Sequence, residues 1–277
     1  GIGAASRNGI LFKGGNYIDT MAKVNTVVMD KTGTLTEGVF KVQEVNTSMD
    51  QAEFIRVLAA LEQKSTHPIA KAVAQFAGSD AQAYHATEVE EISGHGLKGV
   101  VNGASVLAGN AKLLRKFNIA YDVAIDSIVE TIVVVAINDA YAGYVTIADQ
   151  VKADAAIAIQ TMHDNGVKQT VMLSGDKTAI TEKVAQSIGI DTAYGDLLPE
   201  EKVAQVEQIK TDASKVVAFV GDGVNDAPVL ALSDVGVAMG GMGSDAAIER
   251  ADVVIQTDQP SKIATAIKIS KATQRIV

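Results

Sequence analysis

The sequence predicts an α/β fold, a parallel sheet with helices on both faces, interrupted by an inserted α+β domain. Three observations carry this expectation. Short apolar runs alternate with amphipathic helical patterns, the signature of a parallel sheet covered on both sides. Most of those runs end in acidic or glycine-rich turns. Between the first run and the rest, residues 45–145 change character, to helices followed by antiparallel strand signals.

The strand candidates are Val24–Met29, Thr170–Leu173, Val216–Val220, Val235–Met239 and Asp252–Ile255. Helical patterns fill the gaps at Ala153–Asn165, Lys177–Ile188 and Glu200–Thr211. The first two stop at Gly166 and Gly189, and the third starts after Pro199, as helix boundaries require. In folds of this kind ligands bind beyond the carboxyl ends of the strands. Asp30, Ser174, Asp176, Asp222 and Asp226 all fall there. In the insert, Gln51–Lys64 and Pro68–Ala77 read as helices, the second with a hydroxyl cap from Ser65-Thr66. Asn102-Gly103 marks a two-residue hairpin turn, and Asn138-Asp139 a weaker one. The expected domains are therefore 1–44 with 146–277, and 45–145.

Composition narrows the function. Apolar residues make up 47% of 277 and charged ones 21%, so a buried core is available. A net charge of −9 argues against nucleic acid as a partner, which would call for a basic face. With no cysteine, disulfides, thiolate metal sites and cysteine nucleophiles are excluded. The four histidines (His67, His85, His95, His163) show no metal-ligand spacing. The longest apolar run, Ile132–Ile137, falls far short of the ~20 residues that span a bilayer. The chain as given reads as soluble and monomeric, and its start without Met hints at a piece of a longer protein.

The most informative segment is Val28-Met29-Asp30-Lys31-Thr32-Gly33-Thr34-Leu35-Thr36. An aspartate leaving a buried strand into a Gly/Thr-rich turn can offer its carboxylate as a nucleophile, while turn N–H groups hold a phosphate. Attack of one anion on another needs a divalent cation and fixed positive charge. Asp222 and Asp226, four apart in Gly221-Asp222-Gly223-Val224-Asn225-Asp226, suit oxygen coordination of Mg²⁺. Lys202 would neutralise phosphate oxygens, and Ser174, followed by Gly175, would donate a hydrogen bond.

Asp-Lys-Thr-Gly-Thr-Leu-Thr at 30–36, with Gly-Asp-Gly-Val-Asn-Asp at 221–226, resembles the signature of P-type ATPases within the haloacid-dehalogenase-like superfamily. The resemblance covers essentially the whole chain. It implies that Asp30 forms an aspartyl-phosphate and that Asp30, the Thr32 carbonyl and Asp222 ligate Mg²⁺. It also gives catalytic roles to Lys31, Thr32, Ser174, Gly175, Lys202 and Asp226. Where this family usually has Thr-Gly-Asp, the chain has Ser174-Gly175-Asp176, which keeps the hydroxyl. Thr32 stands where phosphatases of the superfamily carry a second aspartate. Threonine does not activate water efficiently at neutral pH, so the phosphorylated form should be long-lived, as a pump needs. A soluble phosphatase of the same superfamily and a non-catalytic nucleotide-binding module are the alternatives.

The insert carries Glu62, Ser65-Thr66-His67-Pro68, Gly94-His95-Gly96-Leu97-Lys98-Gly99 and Gly109-Asn110. The glycine string alone is weak, since a strand hairpin rather than a helix follows it and a dinucleotide fingerprint fails. The combination resembles the nucleotide domain of the heavy-metal branch of P-type ATPases. It implies adenosine contacts from Glu62, His67, Gly94, Gly96, Gly99, Gly109 and Asn110, with ATP and Mg²⁺ as cofactors. Segments 243–249 and 257–262 look more like zinc, cadmium or lead exporters than copper ones. The resemblance further implies membrane helices carrying the metal, an actuator domain, and a place for this chain on the cytoplasmic side of a membrane.

Overall fold

The computed structural model describes residues 2–221, 226–240 and 245–276. By contacts the chain divides into two compact units, Gly1–Gly38 with Val151–Val277, and Val39–Gln150. The chain begins with α1 (Ile2–Arg7), β1 (Ile10–Phe12), α2 (Gly15–Lys23) and β2 (Thr26–Asp30). β3 (Thr36–Thr47) leads into the second unit. There follow α3 (Gln51–Glu62), α4 (Pro68–Ala77), β4 (Ala86–Ile92), β5 (Gly96–Val101), β6 (Ala104–Gly109), α5 (Ala111–Lys116) and β7 (Thr131–Ile137). β8 (Ala140–Val151) leads back to α6 (Ala155–Asp164), β9 (Gln169–Leu173), α7 (Thr178–Ile188), β10 (Thr192–Tyr194) and α8 (Pro199–Lys210). The last elements are β11 (Val217–Gly221), α9 (Ala227–Leu232), β12 (Val235–Met239), α10 (Asp245–Arg250), β13 (Val253–Ile255) and α11 (Ser261–Ile276).

The first unit is built on a sheet in the order β1-β13-β12-β11-β2-β9-β10. β2 lies between β11 and β9 and is parallel to both; β1 alone pairs antiparallel, at the edge with β13. Successive strand residues face opposite sides. Val27 and Met29 pack with Ile18 and Met21 of α2, Ile159 of α6 and Ile267 of α11. Val28 faces the other way, toward Val206 of α8 and Val229 of α9. Both faces of the strand are thus filled, which is why it reads as one apolar run rather than as alternation. The five expected strands form, with small shifts at their ends. The edge strands β1 and β10 were not anticipated, since three residues are too few to register as a run.

The second unit is a six-stranded sheet, β3-β8-β7-β6-β5-β4. Phe54, Leu58 and Leu61 of α3 and Val73 of α4 cover one face, against Val106, Val133 and Val145. Leu113 and Leu114 of α5 cover the other, against Leu107 and Val134. Both expected hairpins form: β5 turns into β6 at Asn102-Gly103 and β7 into β8 at Asn138-Asp139, all four with positive φ as tight hairpin turns demand. The division falls at 38/39 and 150/151 rather than 44/45 and 145/146, because β3 and β8 extend this sheet. β3 is mostly exposed and polar, so its sequence reads as loop. No helix among the described residues is long and apolar enough to cross a membrane.

Candidate active site

Asp30 is the last residue of β2, paired in register with Leu173 of β9, while Met29 pairs with Val220 of β11. Parallel neighbours bring three chain segments to one sheet edge: Asp30 with its turn, Ser174 after β9, and Gly221 at the end of β11. Asp30 is buried, only 4% exposed. Lys202, on the first turn of α8, places its Nζ 3.2 Å from Asp30 Oδ1. Burial, then the hydrogen bond and repulsion from Asp226, push the Asp30 carboxyl well above the usual carboxylate range; Lys202 draws it down. Replacing Lys202 by alanine removes the ammonium bonded to Asp30. If Asp30 accepts a phosphoryl group, the initial rate of its labelling should fall by roughly 10²- to 10³-fold in this variant, with the fold retained.

The turn Lys31–Leu35 is held from inside. Thr36 Oγ1 donates to the Lys31 carbonyl at 3.1 Å and accepts from the Gly33 N–H at 3.3 Å. Gly33 has φ +79°, a left-handed conformation that glycine adopts without strain. Lys152 Nζ donates to the Gly33 carbonyl at 3.3 Å. Thr32 is exposed on this turn, whereas the Thr34 hydroxyl is buried without a hydrogen-bond partner among the described residues. Lys31 is 1% exposed, and its ammonium pairs with Asp176 Oδ2 at 2.5 Å. Its charge therefore ties the turn to the segment after β9, and Lys202 is the lysine bonded to Asp30. Ser174 Oγ accepts from the Asp176 N–H at 3.0 Å, which leaves its hydroxyl proton free to be donated. At Gly175 a Cβ would lie 3.3 Å from the Leu197 carbonyl oxygen, so the backbone passes close there.

Asp226 is buried just before α9. A Cβ on Gly221 would stand 2.5 Å from Asp226 Oδ2, so this glycine makes room for the carboxylate over the strand end. Gly221 was legible in the motif but its reason was not. Asp222 lies outside the described residues. The fit to Mg²⁺ rests on the Asp30–Asp226 pair: two buried carboxyl groups in hydrogen-bond contact form an oxygen donor set that a hard divalent cation would relieve of repulsion. Among the described residues no group of three acidic or histidine side chains forms a metal cage on its own.

The second unit holds a cavity of about 790 Å³. Glu62, His67, Gly94, Gly96, Gly109 and Asn110 all line it. Gly99 does not. Its Cβ position faces Leu61 Cδ1 at 2.7 Å, so Gly99 serves the packing of α3 on the sheet. Gly96 and Gly109 are register partners across β5 and β6. A Cβ on Gly109 would meet the His95 carbonyl oxygen at 2.1 Å, and one on Gly96 the Ala108 carbonyl oxygen at 2.3 Å. These two glycines are required first by each other's strand. His67, rather than a hydroxyl, caps α4: its Nδ1 accepts from the Ile69 N–H at 3.2 Å. Asn110 caps α5 through Leu113 N–H and donates to the Gly94 carbonyl at 2.8 Å, pinning the glycine turn. Glu62 is 7% exposed, and desolvation raises its carboxyl to about 7. Val89, Ile132 and Val133 add apolar lining that sequence reading missed, since nothing local marks them as cavity residues.

A family model described as haloacid dehalogenase-like hydrolase matches residues 24–234. A zinc-transporting ATPase of Synechocystis sp. is 47% identical over 280 residues, which take in 100% of this chain and 39% of that protein. A cadmium, zinc and cobalt-transporting ATPase of Bacillus subtilis is 48% identical, with 100% and 40% covered. The chain thus spans about two-fifths of the length of the curated relatives it matches. Among solved structures, a zinc-transporting PIB-type ATPase in an E2.Pi state superposes with a TM-score of 0.84 at 33% identity, over 99% of this chain and 45% of that one. The catalytic domain of a CPx-ATPase gives a TM-score of 0.66 at 27% identity and covers 96% of this chain and 98% of that one.

Proposed function

Because this chain belongs to the haloacid dehalogenase-like hydrolase family, we propose that it is the phosphorylation and nucleotide-binding part of a P-type heavy-metal ATPase. Asp30 is the acceptor of the γ-phosphoryl group of ATP. The observation that carries the reading is the buried Asp30 carboxyl at the end of β2, with the Lys202 ammonium 3.2 Å away and Thr32 two residues on. An Asp30 oxygen attacks the γ-phosphorus in line, the bond to the β-phosphate oxygen breaks, and ADP leaves with its electron pair. Lys202 offsets the charge that gathers on the phosphoryl oxygens. Ser174 and the N–H groups of the Thr32–Gly33 turn hold those oxygens. Mg²⁺ held by Asp30, the Thr32 carbonyl and Asp222 would screen the carboxylate from the incoming phosphate. Threonine at 32 supplies no general base for water, so the acyl phosphate persists.

The cavity lined by Glu62, His67 and Asn110 is the adenosine site on this reading. Leu97, Ile132 and Val133 give it an apolar part beside polar side chains such as Glu62, His67 and Asn110, as small-molecule sites combine the two. The relatives extend well beyond the matched region. The remainder of the pump would supply membrane helices, the transported metal's path and an actuator domain, with this part on the cytoplasmic face. Zinc and cadmium are the favoured cargo, in line with the names of the relatives.

The test is covalent labelling of this chain with γ-phosphate-labelled ATP and Mg²⁺. The expected product is an acid-stable, hydroxylamine-sensitive phosphoprotein that turns over slowly. Thr32→Asp is expected to shorten its lifetime by about 10²-fold, by placing a general base beside the acyl phosphate. Rapid Asp30-dependent release of phosphate from a small phosphomonoester by the unmodified chain would instead mark a phosphatase.

A further inference from the structure

His95 lines the cavity of the second unit and stands on the turn that leads into β5. The backbone of that turn is committed on both sides. The His95 N–H donates to the Ile92 carbonyl at 2.9 Å, and Gly94 between them has φ +75°. The His95 carbonyl accepts from the Asn110 N–H at 2.9 Å. What remains for a ligand is the ring. His95 Nδ1 lies 2.9 Å from the Ser93 carbonyl oxygen, and a carbonyl can only accept, so Nδ1 carries the proton. In the neutral ring Nε2 is then a bare acceptor, and it has no partner among the described residues. His67 in the same cavity is the reverse case. Its Nδ1 accepts from the Ile69 N–H at 3.2 Å, which puts its proton on Nε2 as a donor. Backbone partners thus fix the two imidazoles as opposite tautomers.

ATP has donors at few places: the N6 amino group of the base and the 2′- and 3′-hydroxyls of the ribose. Its ring nitrogens and its ionised phosphate oxygens accept. An acceptor nitrogen in an ATP site therefore meets either the amino group or the sugar. Depth decides between them. The flat base suits the apolar wall of Leu97, Ile132 and Val133, of which Val133 is buried. His95 is half-buried beside an exposed Gly94, nearer the solvent, where the sugar follows the base on the way to the phosphates. Resting on the adenosine assignment above, we propose that His95 Nε2 accepts a ribose hydroxyl of ATP and so makes the site select for the sugar. A nucleotide without that hydroxyl leaves the nitrogen unmatched, and the site rejects it.

The experiment measures affinities of the full 277-residue chain by calorimetry in excess Mg²⁺, at about pH 8, above the usual imidazole range. The ligands are ATP, 2′-deoxy-ATP, 3′-deoxy-ATP and ITP, which keeps both hydroxyls but lacks the amino group. The readout is each analogue's affinity relative to that of ATP. In the unaltered chain at least one deoxy analogue should bind about five- to tenfold more weakly than ATP. His95→Phe keeps a ring but no acceptor, and should bring that ratio to within about twofold of unity while leaving the ITP ratio unchanged. A purely structural role for His95 would weaken all four ligands alike. A second measurement needs no variant: ¹⁵N spectra of the unaltered chain should show an unprotonated His95 Nε2 whose resonance moves with ATP but not with the disfavoured analogue. Deoxy analogues that both bind as tightly as ATP, a sugar preference that survives in His95→Phe, or a protonated Nε2 would each overturn the inference. A change in the ITP ratio alone would place the nitrogen at the amino group and overturn it too. If the unaltered chain bound none of the four, the adenosine assignment would fall as well, an outcome distinct from ATP binding without sugar preference.

Discussion

Asp30→Asn is expected to abolish hydroxylamine-sensitive labelling from ATP, by at least about 10⁴-fold, while leaving ATP binding in the second unit unchanged. The size follows from the chemistry. A carboxamide nitrogen or oxygen is a poor nucleophile toward phosphorus, and the other lysine-bonded carboxylate at this sheet edge, Asp176, is engaged by Lys31. The neighbouring carboxyl, Asp226, is buried against Asp30 and separated from the strand end only by the open space at Gly221. Loss of labelling must not come from unfolding. The substitution removes one of two acidic groups that raise each other's cost in a buried contact. The thermal transition of the first unit should therefore not fall. A variant that melts as high as the unaltered chain, binds ATP and takes up no phosphate assigns the chemistry to one atom pair. Persistent labelling would remove Asp30 from the mechanism.

What could be read from the sequence was what is local. The Asp30–Thr36 segment carries its aspartate, its turn residues and its preceding apolar run within a few positions, and the strand and turn form where that run places them. The two hairpins and the glycine stop of α7 were legible for the same reason. What joins distant positions was not. Lys31 follows Asp30 in the motif whose resemblance implies a catalytic role for it. Its ion pair with Asp176, far along the chain, ties the turn to the segment after β9, a contact that no local spacing reports. Gly99 sits inside a glycine string that points to a ligand, but its face of β5 is turned to Leu61. The burial of Glu62 depends on how α3 ends above β5 and β6, and no spacing rule reports that. β3 was missed because edge strands with exposed, polar faces lack the alternation that identifies a strand.

The glycine pair on β5 and β6 gives the second large expected effect. Gly96 and Gly109 are directly paired, and each occupies the space where the other's side chain would begin. In Gly109→Ala the new methyl would lie 2.1 Å from the His95 carbonyl oxygen and 2.8 Å from the Gly96 Cα. Both obstacles are backbone, so no side-chain rotation relieves them. The strands must separate, breaking register exactly where the Asn110 N–H bonds to the His95 carbonyl and Asn110 Nδ2 to the Gly94 carbonyl. Strand separation at this point costs about 2–4 kcal/mol by the usual scale of overpacking and lost buried hydrogen bonds. It also displaces Asn110, Gly94 and His95 from the cavity wall. ATP affinity is expected to drop by more than about 100-fold, with the melting of the second unit lowered and that of the first unaffected. Gly103→Ala serves as the control. Unlike Gly109, that residue has a positive φ, and nothing lies within 4 Å of its Cβ position, so the substitution should weaken the hairpin by only about 1 kcal/mol and leave ATP binding intact. Equal losses at both positions would mean that any added side chain in this hairpin, rather than the close approach of the two strands, disrupts the site.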